Sequence, residues 1–134
     1  MAESILRIKS KEFAKSVVLL CRTLKENKVE YALTDQLLRS GTSVGANIHE
    51  SQYAQGTKDF ISKFEIALKE CNESEYWLEL LYEVNSITEE EFNKFKNDCI
   101  ELRRMLVSSV KKLKEKIETK SPYFKGFLRT WKMI

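Results

Sequence analysis

The sequence predicts an all-α fold, namely an up-down-up-down antiparallel four-helix bundle with a short aromatic and basic C-terminal extension. Apolar residues recur at alternating spacings of three and four over four long segments, which is the pattern of amphipathic helices. One Pro and four Gly among 134 residues are too few for a turn-rich β fold. The connections between the segments are short, and short connections make neighbouring helices antiparallel.

Each helix is predicted from its own apolar residues. The helices are expected near residues 4–28, 34–54, 57–85 and 88–118, so that residues 1–118 form the bundle and 119–134 the extension. The apolar seams are, in order, Phe13, Val17, Leu20 and Leu24; Leu37, Gly41, Val44 and Ile48; Phe60, Phe64, Ala67, Cys71, Ser74, Leu78 and Leu81; and Phe92, Phe95, Cys99, Leu102, Leu106, Val110, Leu113 and Ile117.

Polar residues at the segment boundaries predict where the helices start. Thr34 and Thr57 are candidate N-caps of the second and third helices, because a hydroxyl can accept a hydrogen bond from a free N–H of the first turn. Thr88 followed by Glu91 predicts a capping box at the start of the fourth helix.

The stretch RSGTSVGANIHE, residues 39–50, places two glycines inside a predicted helix. A glycine in mid-helix costs about 1 kcal/mol relative to alanine, so Gly41 and Gly45 predict close packing against a neighbouring backbone.

The opposite side of the same helix carries Arg39, Ser43, Asn47 and Glu50, with no further charged residue between Arg39 and Glu50. A solvated helix in a chain with 32% charged residues should carry more charge. This side is therefore predicted to be covered, either by a second subunit or by packing within the bundle.

Charge is unevenly distributed along the chain, although the net charge is only +3. Residues 57–87 hold three Lys against seven Asp or Glu, whereas residues 111–132 hold eight Lys or Arg against two Glu. A basic C-terminal third favours a polyanionic partner. The alternative is a solvated helix end with no partner.

Five basic residues of the fourth helix share about a third of its circumference and are the candidate nucleic-acid-binding residues. They are Lys96, Arg103, Arg104, Lys111 and Lys114. No helix-turn-helix, zinc finger or other base-reading motif accompanies them, so binding would go to the phosphate backbone with low sequence specificity. Alternatively, these residues pair with carboxylates such as Glu101 or Glu115 on the same helix.

Catalytic and metal-binding functions find little support. Cys21, Cys71 and Cys99 lie in apolar seams and are predicted to be reduced core residues of a cytoplasmic protein. The single histidine, His49, is predicted to lie at a surface or interface. We expect no catalytic residue, no cofactor and no metal. A magnesium site would need Glu70 and Glu73 to meet Asp98 and Glu101, and we consider this carboxylate set too sparse.

Membrane insertion is not expected, since no stretch approaches the roughly 20 apolar residues that span a bilayer, and the N-terminus lacks the apolar run of a signal peptide. The extension carries aromatic residues on one helical face, namely Tyr123, Phe124, Phe127, Leu128 and Trp131. Three uses of this face remain open: packing on the chain's own bundle, docking to a partner protein, or, least favoured, peripheral membrane contact.

Residues 37–81 closely resemble the signature of the four-helix-bundle proteins encoded in intervening sequences of bacterial 23S rRNA genes, often labelled ribosomal proteins. The resemblance is carried by LLRS at 37–40, SVGANIHE at 43–50, DFISK at 59–63, IALKE at 66–70 and EYWLELL at 75–81, and it extends over about residues 5–118. Two departures are His49, where the family usually has a basic or variable residue before the glutamate, and the extension 119–134, which passes the common core.

The resemblance implies a homopentamer of four-helix protomers with a basic surface and no enzymatic activity. Similar accessory proteins of diversity-generating retroelements form pentamers that bind nucleic acid and a reverse transcriptase. We therefore expect a bacterial, cytoplasmic, homo-oligomeric protein that binds RNA or DNA, and the alternative is a protein–protein adaptor of unknown pathway.

Overall fold

A computed structural model describes residues 2–120 of the chain, and within that range it contains helices and no strands. The four helices are α1 (Ala2–Glu26), α2 (Tyr31–Ser51), α3 (Thr57–Glu83) and α4 (Glu89–Lys120). Each helix packs against its neighbours in the chain, and α1 closes the ring against α4 through a less extensive contact. This is the predicted four-helix bundle. Residues 121–134, including most of the predicted extension, lie outside the described residues.

The core is formed mainly by residues of the predicted seams, and Leu6, which lies outside them, joins it. The largest fully buried side chains are Leu6, Val17, Leu24, Leu37, Val44, Ile48, Phe64, Leu78, Leu81, Leu102 and Leu106. Phe13 of α1 and Phe95 of α4 meet edge to face, with ring centroids 6.3 Å apart. The three cysteines are free and buried, as predicted, and burial raises the pKa of the Cys21 thiol to about 11.

Two of the connections end the preceding helix in the same way. Lys28 and Asn85 adopt the left-handed conformation, with φ of 58° and 64°. The next N–H donates back to the last turn, from Val29 to Leu24 O at 2.9 Å and from Ser86 to Leu81 O at 2.8 Å. These are Schellman-type helix ends, which satisfy carbonyls that the helix leaves free.

The N-cap predicted from the sequence is found at α4, whereas the predicted N-caps of α2 and α3 are wrong. Thr88 and Glu91 form the predicted capping box, with N–H to oxygen distances of 2.9 and 3.1 Å. Thr34 is not a cap: α2 begins one turn earlier, at Tyr31, and the Thr34 hydroxyl donates to Glu30 O inside the helix. At α3 the N-cap is Gly56, and Thr57 is the first helical residue.

Gly41 and Gly45 lie where α1 and α2 approach closely, Gly41 against a side chain and Gly45 against backbone. A Cβ placed on Gly41 would lie 2.8 Å from Cγ1 of Val17, and one on Gly45 would lie 3.3 Å from the backbone oxygen of Ser10. Val17 is fully buried and β-branched, so its methyl groups cannot turn aside easily. The close approach at Val17 therefore depends on the absence of a side chain at residue 41.

We expect Gly41→Leu to lower the free energy of unfolding by roughly 1–3 kcal/mol, because the new side chain overpacks the space against Val17. Denaturant titration followed by circular dichroism measures this. Ala46→Leu is the matched control, since Ala46 is exposed on the same helix and should change stability by less than about 0.5 kcal/mol. Equal stability of the two variants would refute the close-packing argument.

Candidate nucleic-acid interface

The five predicted basic residues of α4 do not form one surface. Arg103 points towards α3, where its Nη1 donates to Glu75 Oε2 and to Asn72 Oδ1, both at 3.0 Å. The hydrogen bond to Glu75 raises the pKa of Arg103 above its ordinary value. Lys114 is only 8% exposed, and its Nζ lies 3.4 Å from Glu65 Oε2. Two of the five candidates are thus engaged with the acidic helix α3.

The remaining candidates face solvent. Lys96 is exposed, with its ammonium group 5.6 Å from the ring centroid of Phe92. Arg104 and Lys111 are exposed on the outer side of α4. Among the described residues, neither of these two has an ion-pair partner.

Lys112 joins Arg104 and Lys111 on this side of α4, and we call these three residues the outer basic face. Lys112 is exposed, and within residues 5–118 no carboxylate pairs with it. Arg104 and Lys112 border a shallow depression of about 390 Å³ that also includes the hydroxyl-bearing Ser108 and Ser109. Arg104 and Lys111 are separated by about 10 Å along the helix axis, at 1.5 Å per residue. The face therefore presents separate cations with small hydrogen-bond donors between them.

Helical angle alone grouped Arg103 and Lys114 with Arg104 and Lys111 and left out Lys112, whose exposure only the structure shows. The helical angle shows that these residues share a side of α4. It does not show which part of that side α3 covers. A usable signal was present in the acidic residues of α3, since Glu65 and Glu75 recur on the flank that adjoins α4.

The predicted interface residues of α2 have partners within the chain. Arg39 Nη1 lies 3.0 Å from Glu70 Oε2, and its Nη2 pairs with Glu73. Ser43 donates to Arg39 O at 2.7 Å, and Asn47 donates to Ser43 O at 2.8 Å. The Arg39 ion pairs place that end of the polar stripe beside α3, whereas the bonds of Ser43 and Asn47 stay within α2.

Glu50 is the last residue of the polar stripe, and its Oε2 lies 3.6 Å from Nζ of Lys63 in α3. The Arg39 side chain keeps 48% of its surface exposed. Part of the stripe is therefore accessible to a second subunit, and the subunit interface remains a prediction.

A second open surface lies between α1 and α2. It is a groove of about 670 Å³, with Gly45 and Ala46 on α2 facing Ile8 and Ala14 on α1. Ile8 is 58% exposed. His49 lies at one end of the groove, exposed as predicted, with its ring 5.7 Å from that of Tyr53. The charged residues Arg7, Lys11 and Glu50 also line the groove, so its small apolar residues are bordered by charge.

The carboxylates considered for a magnesium site are not brought together. Glu70 and Glu73 both hold Arg39, on the α2 side of α3. Asp98 pairs with Lys94 of its own helix at 3.4 Å, and Glu101 pairs with Lys9 of α1. Among the residues that the structure describes, no group of three or more His, Cys, Asp or Glu could hold a metal ion. In the same part of the chain, no helix is long and apolar enough to cross a membrane.

Comparison with known proteins assigns the chain to a family. The sequence profile of the 23S rRNA-intervening sequence proteins matches residues 3–108. The chain belongs to this family.

A solved crystal structure supports the assignment. It is that of a protein with unknown function from the S23 ribosomal protein family of Bacteroides thetaiotaomicron, 46% identical in sequence, and it superimposes with a TM-score of 0.81. The match covers 83% of this chain and 99% of that one. No curated protein matches the chain. Neither the family description nor the solved structure names a catalytic activity.

The Arg39–Glu73 ion pair predicts a pH dependence of stability. The hydrogen bond from Arg39 holds the pKa of Glu73 below its ordinary value of 4.5. A carboxylate with a depressed pKa stabilises the folded state above its unfolded pKa, and this stabilisation is lost as pH falls through the folded pKa.

Glu73→Gln should therefore reduce stability at pH 7 by about 0.2–1 kcal/mol, as for an exposed ion pair, and the loss should be smaller at pH 3. Urea titrations at the two pH values measure this. Glu79→Gln is the control, because Glu79 is exposed on the same helix and has no ion-pair partner among the described residues. An equal loss of stability at both pH values would contradict the assignment.

Proposed function

We propose that this member of the 23S rRNA-intervening sequence protein family is a non-enzymatic, cytoplasmic nucleic-acid-binding protein. It would bind the phosphate backbone of RNA or DNA through the outer basic face of α4. The observation that carries the proposal is the pair of neighbouring arginines, of which Arg103 is held by Glu75 while Arg104 projects outward beside Lys111 and Lys112. Exposed cations without carboxylate partners are available to phosphates.

The proposed binding is weakly selective for sequence. Sequence is read by side chains that reach base edges in a groove, often from a helix inserted there. The outer basic face instead offers long flexible side chains and two serine hydroxyls on one helix side, which suits binding to phosphates. Such binding releases counterions, so the affinity should fall steeply with salt. The nearby acidic residues Glu115 and Glu118 would limit the strength of a single protomer.

Self-association would repeat the outer basic face and compensate for the weakness of one copy. The family resemblance implies a pentamer, and we propose that the interface between copies uses the exposed parts of the Arg39, Ser43, Asn47 and Glu50 stripe. Repeated weak sites on one assembly bind a long polyanion more strongly than one site does, because the later binding events are intramolecular.

Size-exclusion chromatography with light scattering should give a mass about five times the 15.7 kDa of the chain. The measurement is made with and without a mixed pool of RNA and DNA, at low and high salt. A complex that forms only at low salt is expected. A monomer under all conditions would contradict the proposed assembly.

A protein–protein adaptor is the second candidate function. It is favoured by the groove between α1 and α2, in which Ile8 and Ala46 are exposed. An oligomer that does not bind nucleic acid even at low salt would favour this candidate.

Arg103 and Arg104 form a matched pair for testing the interface. Arg104→Ala should weaken binding of a labelled mixed-sequence RNA several-fold, measured by fluorescence anisotropy, and should leave the unfolding free energy unchanged. Arg103→Ala should leave binding nearly unchanged and lower the unfolding free energy by on the order of 1 kcal/mol, because Glu75 and Asn72 lose their half-buried donor.

Reversal of the whole outer basic face gives the stronger test. The variant changes Arg104, Lys111 and Lys112 together to Glu. The slope of log affinity against log salt concentration should become shallower, by roughly 0.9 for each phosphate of a DNA duplex that the variant no longer neutralises. The control reverses Lys15, Arg22 and Lys69, which are exposed elsewhere and change the net charge equally. An equal reduction in both triple variants would show that net charge, and not this face, governs binding.

A further inference from the structure

Two of the three cysteines meet across the contact between α3 and α4. Cys71 of α3 and Cys99 of α4 are both fully buried, and both are free thiols. The Cys71 thiol donates to the carbonyl oxygen of Cys99, with the sulfur 3.4 Å from that oxygen. A hydrogen bond also joins the two thiols. The sulfur of Cys71 therefore contacts both the backbone and the side chain of one residue on the neighbouring helix.

The surroundings of this pair make Cys71 the more reactive thiol. The hydrogen bond from Cys99 lowers the pKa of the Cys71 thiol below its ordinary value of 9.0, and the positive charge of Arg103 acts in the same direction, while burial opposes both. The same hydrogen bond, together with burial, raises the pKa of Cys99. Cys21 has no such neighbour, and burial raises the pKa of its thiol to about 11. Since the thiolate is the form that reacts with oxidants, Cys71 should react before Cys21.

A surface ion pair lies beside the two thiols. Glu75 and Arg103 follow Cys71 and Cys99 by one helical turn each, and the charges of both residues act on both thiols. The side chains of Arg103 and Glu75 are 31% and 23% exposed. An ion pair with this exposure to water is weak, so its opening gives a small molecule a short path to the sulfur of Cys71.

We propose that Cys71 and Cys99 form a reversible intramolecular disulfide on reaction with hydrogen peroxide. The Cys71 thiolate first attacks the peroxide: an S–O bond forms, the O–O bond breaks, and hydroxide leaves a sulfenic acid on Cys71. The sulfur of Cys99 then attacks that of Cys71, so that an S–S bond forms and the S–O bond breaks. The displaced hydroxide takes the proton of Cys99 and leaves as water. The two sulfurs lose two electrons in total, and the peroxide gains them.

The disulfide would tie α3 to α4 covalently. In a reducing compartment a bond of this kind is transient and serves redox sensing, because cellular thiols return it to the reduced state. The inference goes beyond the proposed nucleic-acid binding and does not depend on it, since both cysteines lie in the core and the outer basic face takes no part in the reaction.

Peptide mass spectrometry of the full chain tests the proposal. The reduced protein is treated with hydrogen peroxide, freed of the oxidant with catalase, unfolded with iodoacetamide to block the remaining thiols, and digested. We expect peptides joined through Cys71 and Cys99, lighter by two hydrogen atoms than the reduced pair, with several-fold less oxidation at Cys21. Dithiothreitol added before the iodoacetamide should remove the linkage.

Two alanine variants separate the roles of the thiols. Cys99→Ala should abolish the linkage and stop the oxidation of Cys71 at the sulfenic acid, which dimedone labels. Cys21→Ala is the matched control, because Cys21 is buried without a thiol partner, and it should give the same linkage as the parent chain. Circular dichroism checks that each variant keeps its helices, and the parent chain tests the linkage without any substitution.

Three results would overturn the proposal. If Cys71 and Cys99 of the parent chain both stay available to iodoacetamide after peroxide treatment, the pair does not react. A linkage to Cys21 or between two chains would show that the contact of α3 with α4 does not direct the reaction. Oxidation of Cys71 to the sulfinic acid without any linkage would show that Cys99 does not reach it.

Discussion

The close approach of Val17 of α1 to Gly41 of α2 sets the distance between the first two helices of the bundle. Two mid-helix glycines each cost about 1 kcal/mol, and the close packing they allow buries Val17, Leu37 and Val44 completely. The packing of α1 against α4 is less extensive than its packing against α2. The tightly packed pair of α1 and α2 therefore forms one side of the buried core.

The acidic helix α3 decides which basic residues remain available. It lies between α2 and α4 and forms ion pairs with one arginine of each. Glu70 and Glu73 pair with Arg39, and Glu75 pairs with Arg103. These pairs align the three helices and neutralise the inner flank of α4. Arg104, Lys111 and Lys112 remain exposed beside this flank, where phosphates could reach them.

Most of the fold follows from sequence, whereas the candidate site follows only in part. The spacing of apolar residues predicts all four helices, because each helix buries one face along its whole length. The Thr88 capping box is predictable because its hydrogen bonds join residues only three apart in the sequence. The predicted start of α2 at Thr34 is wrong, since the helix extends one turn further towards its N-terminus and turns the hydroxyl to its own backbone. The orientation of Arg103 could not be predicted, because it depends on the rotation of α4 against α3, which is a tertiary property.

Lysine footprinting tests the proposed interface most directly. The full chain is acetylated with and without a mixed-sequence RNA at low salt, and the modified residues are measured by mass spectrometry. The account predicts that RNA protects Lys111 and Lys112 several-fold, whereas Lys15 and Lys69, which are exposed on α1 and α3, react as in the free protein. Protection of Lys15 and Lys69 with no protection of Lys111 and Lys112 would contradict it.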